Sequence, residues 1–249
     1  MIKHYLKLFF AAMFVVEFCS LALAQKPEAK KHFDSGMKYK EEGSNFQAKE
    51  EFLEALKIDP GYHAARIELA GVYADLNMLP EASDELDKLK KVAKPLPKYH
   101  TYKGLVNYKQ GLEVWTKLVQ NHPKYMYKDD GKVQFLKKGI SPEVQIDNLA
   151  KKIEKDTTQF EARYQLRGMY YEVAIAELEQ AVKQAPKDTL ANLTLGLVYL
   201  ERGKKDLVER QQKVLEKLDA KSASDLKYMM DFVEQGKKEL EEDMKKDNM

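Results

Sequence analysis

The sequence predicts an all-α protein built as a solenoid of stacked helical hairpins, with an irregular middle and a C-terminal capping helix. Three observations predict it. Gly36, Tyr39, Ala48, Phe52, Ala55 and Pro60 recur 34 residues later as Ala70, Tyr73, Ala82, Leu86, Leu89 and a late Pro95. Spacings of three and four put Gly36 with Tyr39, and Ala48 with Phe52 and Ala55, on single helical stripes. Gly and Pro are sparse, 12 and 8 in 249 residues, and they punctuate the chain instead of clustering. Two stripes joined by a turn make a hairpin. Its small residues Gly36, Ala48 and Ala55 sit where two backbones approach, with Phe52 and Tyr39 filling the space beside them. One such hairpin cannot bury its apolar side alone, so several must stack.

The stretch His32-x-x-Ser35-Gly36-x-x-Tyr39, then Ala48-x-x-x-Phe52, then Pro60 resembles the tetratricopeptide repeat family, whose period is also 34 residues. The family's glycine, tyrosine, alanine, phenylalanine and proline are present, while His32 and Ser35 replace its tryptophan and leucine. In the second unit Leu69 supplies the leucine, and Ala70 and Leu86 replace the glycine and phenylalanine. The resemblance implies a right-handed superhelical array in which the first helices of successive hairpins line a concave groove. That groove takes extended or helical segments of protein partners. By the same resemblance, Phe33, Met37 and Lys40 face it from the first unit and Ile67 and Ala74 from the second. Gln165 and Met169 follow from the fourth, and Leu193, Leu197 and Leu200 from the fifth. Phe33, Met37, Ile67, Met169 and Leu197 are the expected apolar contacts, with Lys40 at the rim. Packing against neighbouring helices is the competing role for each of them. The Lys and Asn arrangement with which some family members clamp a carboxyl terminus is missing.

The elements follow in chain order. Residues 1–24 open with Lys3, His4 and Lys7, run through Leu8 to Val16 and end at Ala22-Leu23-Ala24, which reads as a secretory signal with an A-x-A cleavage site. Retention as a membrane anchor is the alternative, although a span wants about 20 apolar residues and this run is shorter. Residues 25–96 carry the first two repeats, with Asn77-Met78-Leu79-Pro80 as a turn and Pro80 starting a helix. Residues 97–140 hold a degenerate third repeat, Gly104, Tyr108, Gly111, Trp115, Leu118 and Pro123, whose interval from Gly104 to Gly111 is too short for the family spacing from glycine to alanine. An irregular insert follows. Residues 124–140 read either as a β-hairpin around Asp130-Gly131 or as a short helix stopped by Gly139, the helix being preferred. In residues 141–222, Ser141-Pro142-Glu143 begins a helix with Ile146, Leu149, Ala150 and Ile153 on one face. Two repeat-like units come next: Gly168, Tyr171, Ala174, Leu178, Ala181 and Pro186, then Leu195, Gly196, Tyr199 and Gly203 with a weaker second helix. No breaker separates Tyr171 from Ala174, so the helix starting near Gln159 is expected to run on into the Ala174 to Gln184 segment, or to bend without a proper loop. Residues 223–249 form the capping helix and a charged tail.

Composition narrows the function. Lys+Arg is 42 against Asp+Glu 40, and without Lys3, Lys7 and Glu17 of the leader 40 remain against 39, so there is no electrostatic case for nucleic acid. The single cysteine, Cys19, lies in the leader, which leaves no thiol chemistry for an exported chain. The histidines show no metal-ligand spacing, and no catalytic or nucleotide-binding motif is present. No cofactor or catalytic residue is therefore expected. The sequon Asn192-Leu193-Thr194 falls mid-helix, where modification would disrupt packing. The expected protein is a periplasmic or secreted, non-enzymatic scaffold for protein binding, in assembly of an envelope or secretion complex. An accessory or chaperone-like subunit, whose chemistry lies in a partner, is the alternative. Membrane attachment is expected only if the leader is retained.

Overall fold

Glycine, or an asparagine standing in for it, follows the repeat's packing position by seven residues and turns the chain. Gly43, Asn77 and Gly203 all have positive φ, at 74°, 59° and 64°. Glycine meets that left-handed conformation without steric cost, and asparagine tolerates it. The computed structural model describes residues 26–90, 98–119, 136–155 and 160–246. The leader 1–24, Pro95, Pro123 and most of the 124–140 insert lie outside the described residues. Among the described residues there are ten helices and no strand. They are α1 (Pro27–Glu41), α2 (Asn45–Ile58), α3 (His63–Asp75), α4 (Leu79–Leu89), α5 (Tyr99–Val119), α6 (Pro142–Lys155), α7 (Phe160–Gln184), α8 (Thr189–Glu201), α9 (Lys205–Leu218) and α10 (Ala220–Lys246). They fall into two compact units, residues 1–76 and 77–249.

In the first unit α1 and α2 form the expected hairpin. Pro27 occupies the start of α1, where its missing N–H costs nothing, and Gly43 donates to Lys40 O as the chain leaves the helix. A Cβ on Gly36 would lie 2.7 Å from Phe52 Cε1, so the seam between the helices needs a glycine there. Ala48, Phe52 and Ala55 of α2 and Ala65, Leu69 and Val72 of α3 complete one buried cluster.

The second unit begins with α4, whose Leu79, Ala82, Leu86 and Leu89 are buried. Pro80 lies in its first turn, as the sequence predicts. From α5 onward the structure departs from five regular repeats. α7 is one continuous helix of 25 residues, as the missing breaker between Tyr171 and Ala174 predicts, and it pairs along its length with the 21-residue α5. A Cβ on Gly104 would lie 2.5 Å from Leu178 Cγ, repeating the Gly36 to Phe52 seam. The degenerate third unit and the fourth unit of the sequence reading are therefore the two halves of a single split repeat. Gly104 supplies the packing glycine, and Ala174, Leu178 and Ala181, all buried, supply the second helix.

The physical reason for the split is visible at Gly111. It stands seven residues after Gly104, in the register where Gly43 and Gly203 turn, yet it stays helical and carries no positive φ. A Cβ there would run into the Tyr171 ring, so the glycine serves close packing instead of turning. Between the two halves α6 adds a helix: Val144 N–H donates to Ser141 Oγ at 3.4 Å, and Ile146, Leu149 and Ile153 pack toward α7. α8 and α9 make the last hairpin. α10 covers it with Ala223 and Leu226, and a Cβ on Gly196 would lie 2.7 Å from Leu226 Cδ2.

Candidate functional site

The site is built on the paired helices α5 and α7. They are antiparallel in strict register: seven residues forward from Gly104 to Gly111 on α5 match seven back from Leu178 to Tyr171 on α7. Four more forward reach Trp115, and four more back reach Arg167, whose guanidinium carbon sits 4.0 Å from the Trp115 ring centroid. Arg167 is 3% exposed and also donates to the Glu201 backbone carbonyl at 3.2 Å and its carboxylate at 3.3 Å. A stacked cation with charge-assisted hydrogen bonds locks α7 to both α5 and the end of α8.

α8 is set by Asp188. Its side chain accepts from Ala191 N–H at 3.0 Å, satisfying a free donor of the first turn, and it accepts the Thr101 hydroxyl of α5 at 2.7 Å. One carboxylate thus caps α8 and ties it to α5. Beyond that cap, Leu190, Leu193, Leu197 and Leu200 recur at spacings of three and four, on one face. Leu190 is 39% exposed and the other three are half-buried, resting on the cluster that includes Tyr108 and Leu112 of α5. This leucine strip is the open apolar surface of the last repeat.

A second concavity of about 210 Å³ lies where α4, α5, α6 and α7 meet, lined among others by Lys90, Lys103, Asn107, Gln110 and Glu143. Its charges are satisfied internally. Lys103 Nζ is 2.8 Å from Glu177, which also holds His100 at 2.6 Å, and Lys90 reaches Asp87 at 3.0 Å and Glu143 at 3.3 Å. Burial alone would lower the Lys103 pKa, but the Glu177 hydrogen bond and charge outweigh it and the value is raised. Glu143 is held below its usual range, first by a backbone hydrogen bond at the start of α6 and then, against burial, by Lys90. Such a network closes a seam between helices and offers a ligand few polar groups not already engaged. Among the described residues no group of three or more His, Cys, Asp or Glu is placed to hold a metal ion.

Of the six sequence-predicted groove residues, Phe33, Met37, Lys40 and Ile67 lie in the first unit and Met169 and Leu197 in the second. Ile67 is 2% exposed and Met169 8%, so neither side chain is open to a partner, a correction to the sequence reading. Met169 belongs with Tyr164, Trp115, Leu136 and Ile146 in a cluster built around the inserted helix. Phe33 packs against Phe52 and Tyr62, with ring centroids 5.7 and 5.0 Å away, and Met37 rests on the same core. Lys40 is no loose rim charge: its ammonium lies 2.6 Å from Glu68, and the two side chains are only 18% and 9% exposed. Of the six, Phe33, Met37 and Leu197 are half-buried apolar side chains, each resting on a core cluster. Leu190 was missed, although its spacing of three from Leu193 could have revealed it. The Thr101 to Asp188 link left no sequence signal, since the two residues lie on different elements.

Residues 39–104 match the family model described as tetratricopeptide repeat. That stretch, about a quarter of the chain, carries tetratricopeptide repeat sequence. No curated protein matches the sequence. Among solved structures, the chain is similar to the MamA 41-end protein from Desulfovibrio magneticus RS-1, at 16% identity and a TM-score of 0.35, covering 84% of this chain and 99% of that one. It is similar to YrrB, described as a TPR protein with an unusual peptide-binding site, at 16% identity and a TM-score of 0.31, covering 82% and 100%. A third is PilW, described as a type IV pilus biogenesis factor, at 13% identity and a TM-score of 0.32, covering 82% and 93%.

Proposed function

We propose that this chain is an exported scaffold for protein–protein interaction, that it serves assembly of an envelope or secretion complex without chemistry of its own, and that it holds a protein segment on the leucine face of α8. The observation that carries the binding site is the strip Leu190, Leu193, Leu197 and Leu200, the partly exposed first helix of a repeat supported from below by Tyr108 and Leu112. A curved apolar face of this kind suits an amphipathic helix or extended segment, which gains affinity from a few leucine contacts. Export is supported by the charged start, apolar run and A-x-A site of residues 1–24.

Two measurements test the proposal. Intact-mass analysis of the exported product should show cleavage after Ala24, whereas retention of Met1 to Ala24 means an anchor. For the site, a Leu190→Ser/Leu197→Ser variant should lose its stoichiometric partner from envelope extract, weakening binding by more than about 1 kcal/mol while helix content stays unchanged. Full retention of the partner by that variant moves the site off α8.

A further inference from the structure

The last helix has two faces, and only one is used. Ser222, Ala223 and Leu226 of α10 are buried against the final hairpin. On the opposite face Tyr228 is 68% and Phe232 55% exposed, one turn apart. The same outward face carries Lys221 and Asp225 before the aromatic pair and Gln235 and Glu239 after it, every one exposed. At 27 residues α10 is about 40 Å long, ample for a helix-to-helix contact centred on the aromatics.

We propose that this face docks on a second copy of itself, forming an antiparallel two-fold dimer centred at residue 230. An isologous contact requires a self-complementary surface, in which residue i meets j and j meets i. In this register Tyr228 meets the partner's Phe232 and Lys221 meets the partner's Glu239. Sliding the helices one turn either way destroys the match. One shift sets Lys221 against the partner's Gln235 and the other sets Asp225 against the partner's Glu239, so both lose the Lys221 to Glu239 pair, while the mixed aromatic contact becomes Tyr228 on the partner's Tyr228 or Phe232 on the partner's Phe232. Within one protomer Lys221 is held by Asp225 at 2.9 Å and Glu239 by Gln235 at 2.9 Å, so both charges already lie along the face. Charge complementarity therefore selects a second copy as the occupant and fixes its direction.

The test is sedimentation equilibrium of the exported protein and a charge-reversal cycle. The unaltered protein should show a reversible doubling of mass. Lys221→Glu and Glu239→Lys should each raise the dissociation constant roughly tenfold, and the double reversal should recover most of it. Phe232→Ser should abolish the dimer with helix content unchanged. A monomer at every concentration up to about 1 mM overturns the proposal. So does a dimer that survives Phe232→Ser, which places the interface elsewhere. Failure of the double reversal to rescue overturns the register. A monomer that instead binds vesicles of anionic lipid through Tyr228 and Phe232 assigns the face to a membrane surface, against the proposal.

Discussion

Gly104 lies against Leu178 as Gly36 lies against Phe52, although the first two are 74 residues apart in sequence and the second two 16. The same small-to-large contact closes a compact hairpin in one case and a long split one in the other. Both long helices gain length from the split, because α5 runs past its turn glycine and α7 begins well before Ala174.

Gly104→Ala and Gly111→Ala should each destabilise the second unit. The new methyl groups meet Leu178 Cγ and the ring of Tyr171, neither of them the free end of a flexible chain, and Tyr171 is fully buried. Overpacking of this kind costs about 1 to 3 kcal/mol, against about 1 kcal/mol gained from helix propensity. Gly111→Ala should be the worse of the two, since a buried ring yields less than a leucine. A lower denaturant midpoint at constant slope is the expected result.

Arg167→Met should loosen the α5–α7 pair by about 1.5 to 3 kcal/mol, because it removes the bonds to Glu201 together with the stack on Trp115. Trp115 is the only tryptophan, so tryptophan fluorescence reports its surroundings alone, the Arg167 stack among them. An unchanged emission spectrum in the variant would show that the stack does not persist in solution.

Lys40→Met should lower stability more than it lowers partner binding. It removes the Lys40 ammonium from Glu68, whose side chain is 9% exposed on α3, and losing a charge-assisted hydrogen bond to a buried carboxylate costs about 1.5 to 3 kcal/mol. A Lys40→Met/Glu68→Gln double variant should recover part of the loss in a thermal melt.

Alkaline pH should unfold the second unit early. Burial raises the pKa values of Tyr108, Tyr170, Tyr171 and Tyr199, and the Glu177 contact raises that of Lys103. A raised folded value means that the native state keeps its proton longer than the unfolded chain. This stability is whole below the unfolded pKa of about 10 and is lost as pH climbs toward the folded values, by about 1.4 kcal/mol per pH unit for each such group. Tyrosinate absorbance should rise cooperatively with the loss of helix. A gradual rise, completed while the circular dichroism is still native, would contradict the buried phenols.

The sequence by itself determined the helices, the repeat period and the small residues at the seams, because each is a local property. A stripe needs spacings of three and four, a turn needs a residue tolerant of positive φ, and Gly43, Asn77 and Gly203 supply it. It also determined that no turn would fall between Tyr171 and Ala174, since nothing there stops a helix, and the structure shows that α7 runs on without a bend or break in its helix. Only the tertiary structure decided how Gly111 is used. Its sequence register is that of a turn, but the residues that follow, Thr116 and Gln120, fall where Ala48 and Phe52 stand in the first repeat and cannot make the second face. The packing surface came instead from Tyr171 and Leu178, across an inserted helix. The fate of Ile67 and Met169 was decided in the same way. Periodicity assigns a residue to a face of its own helix, but which neighbour covers that face depends on contacts distant in sequence, and burial follows those contacts.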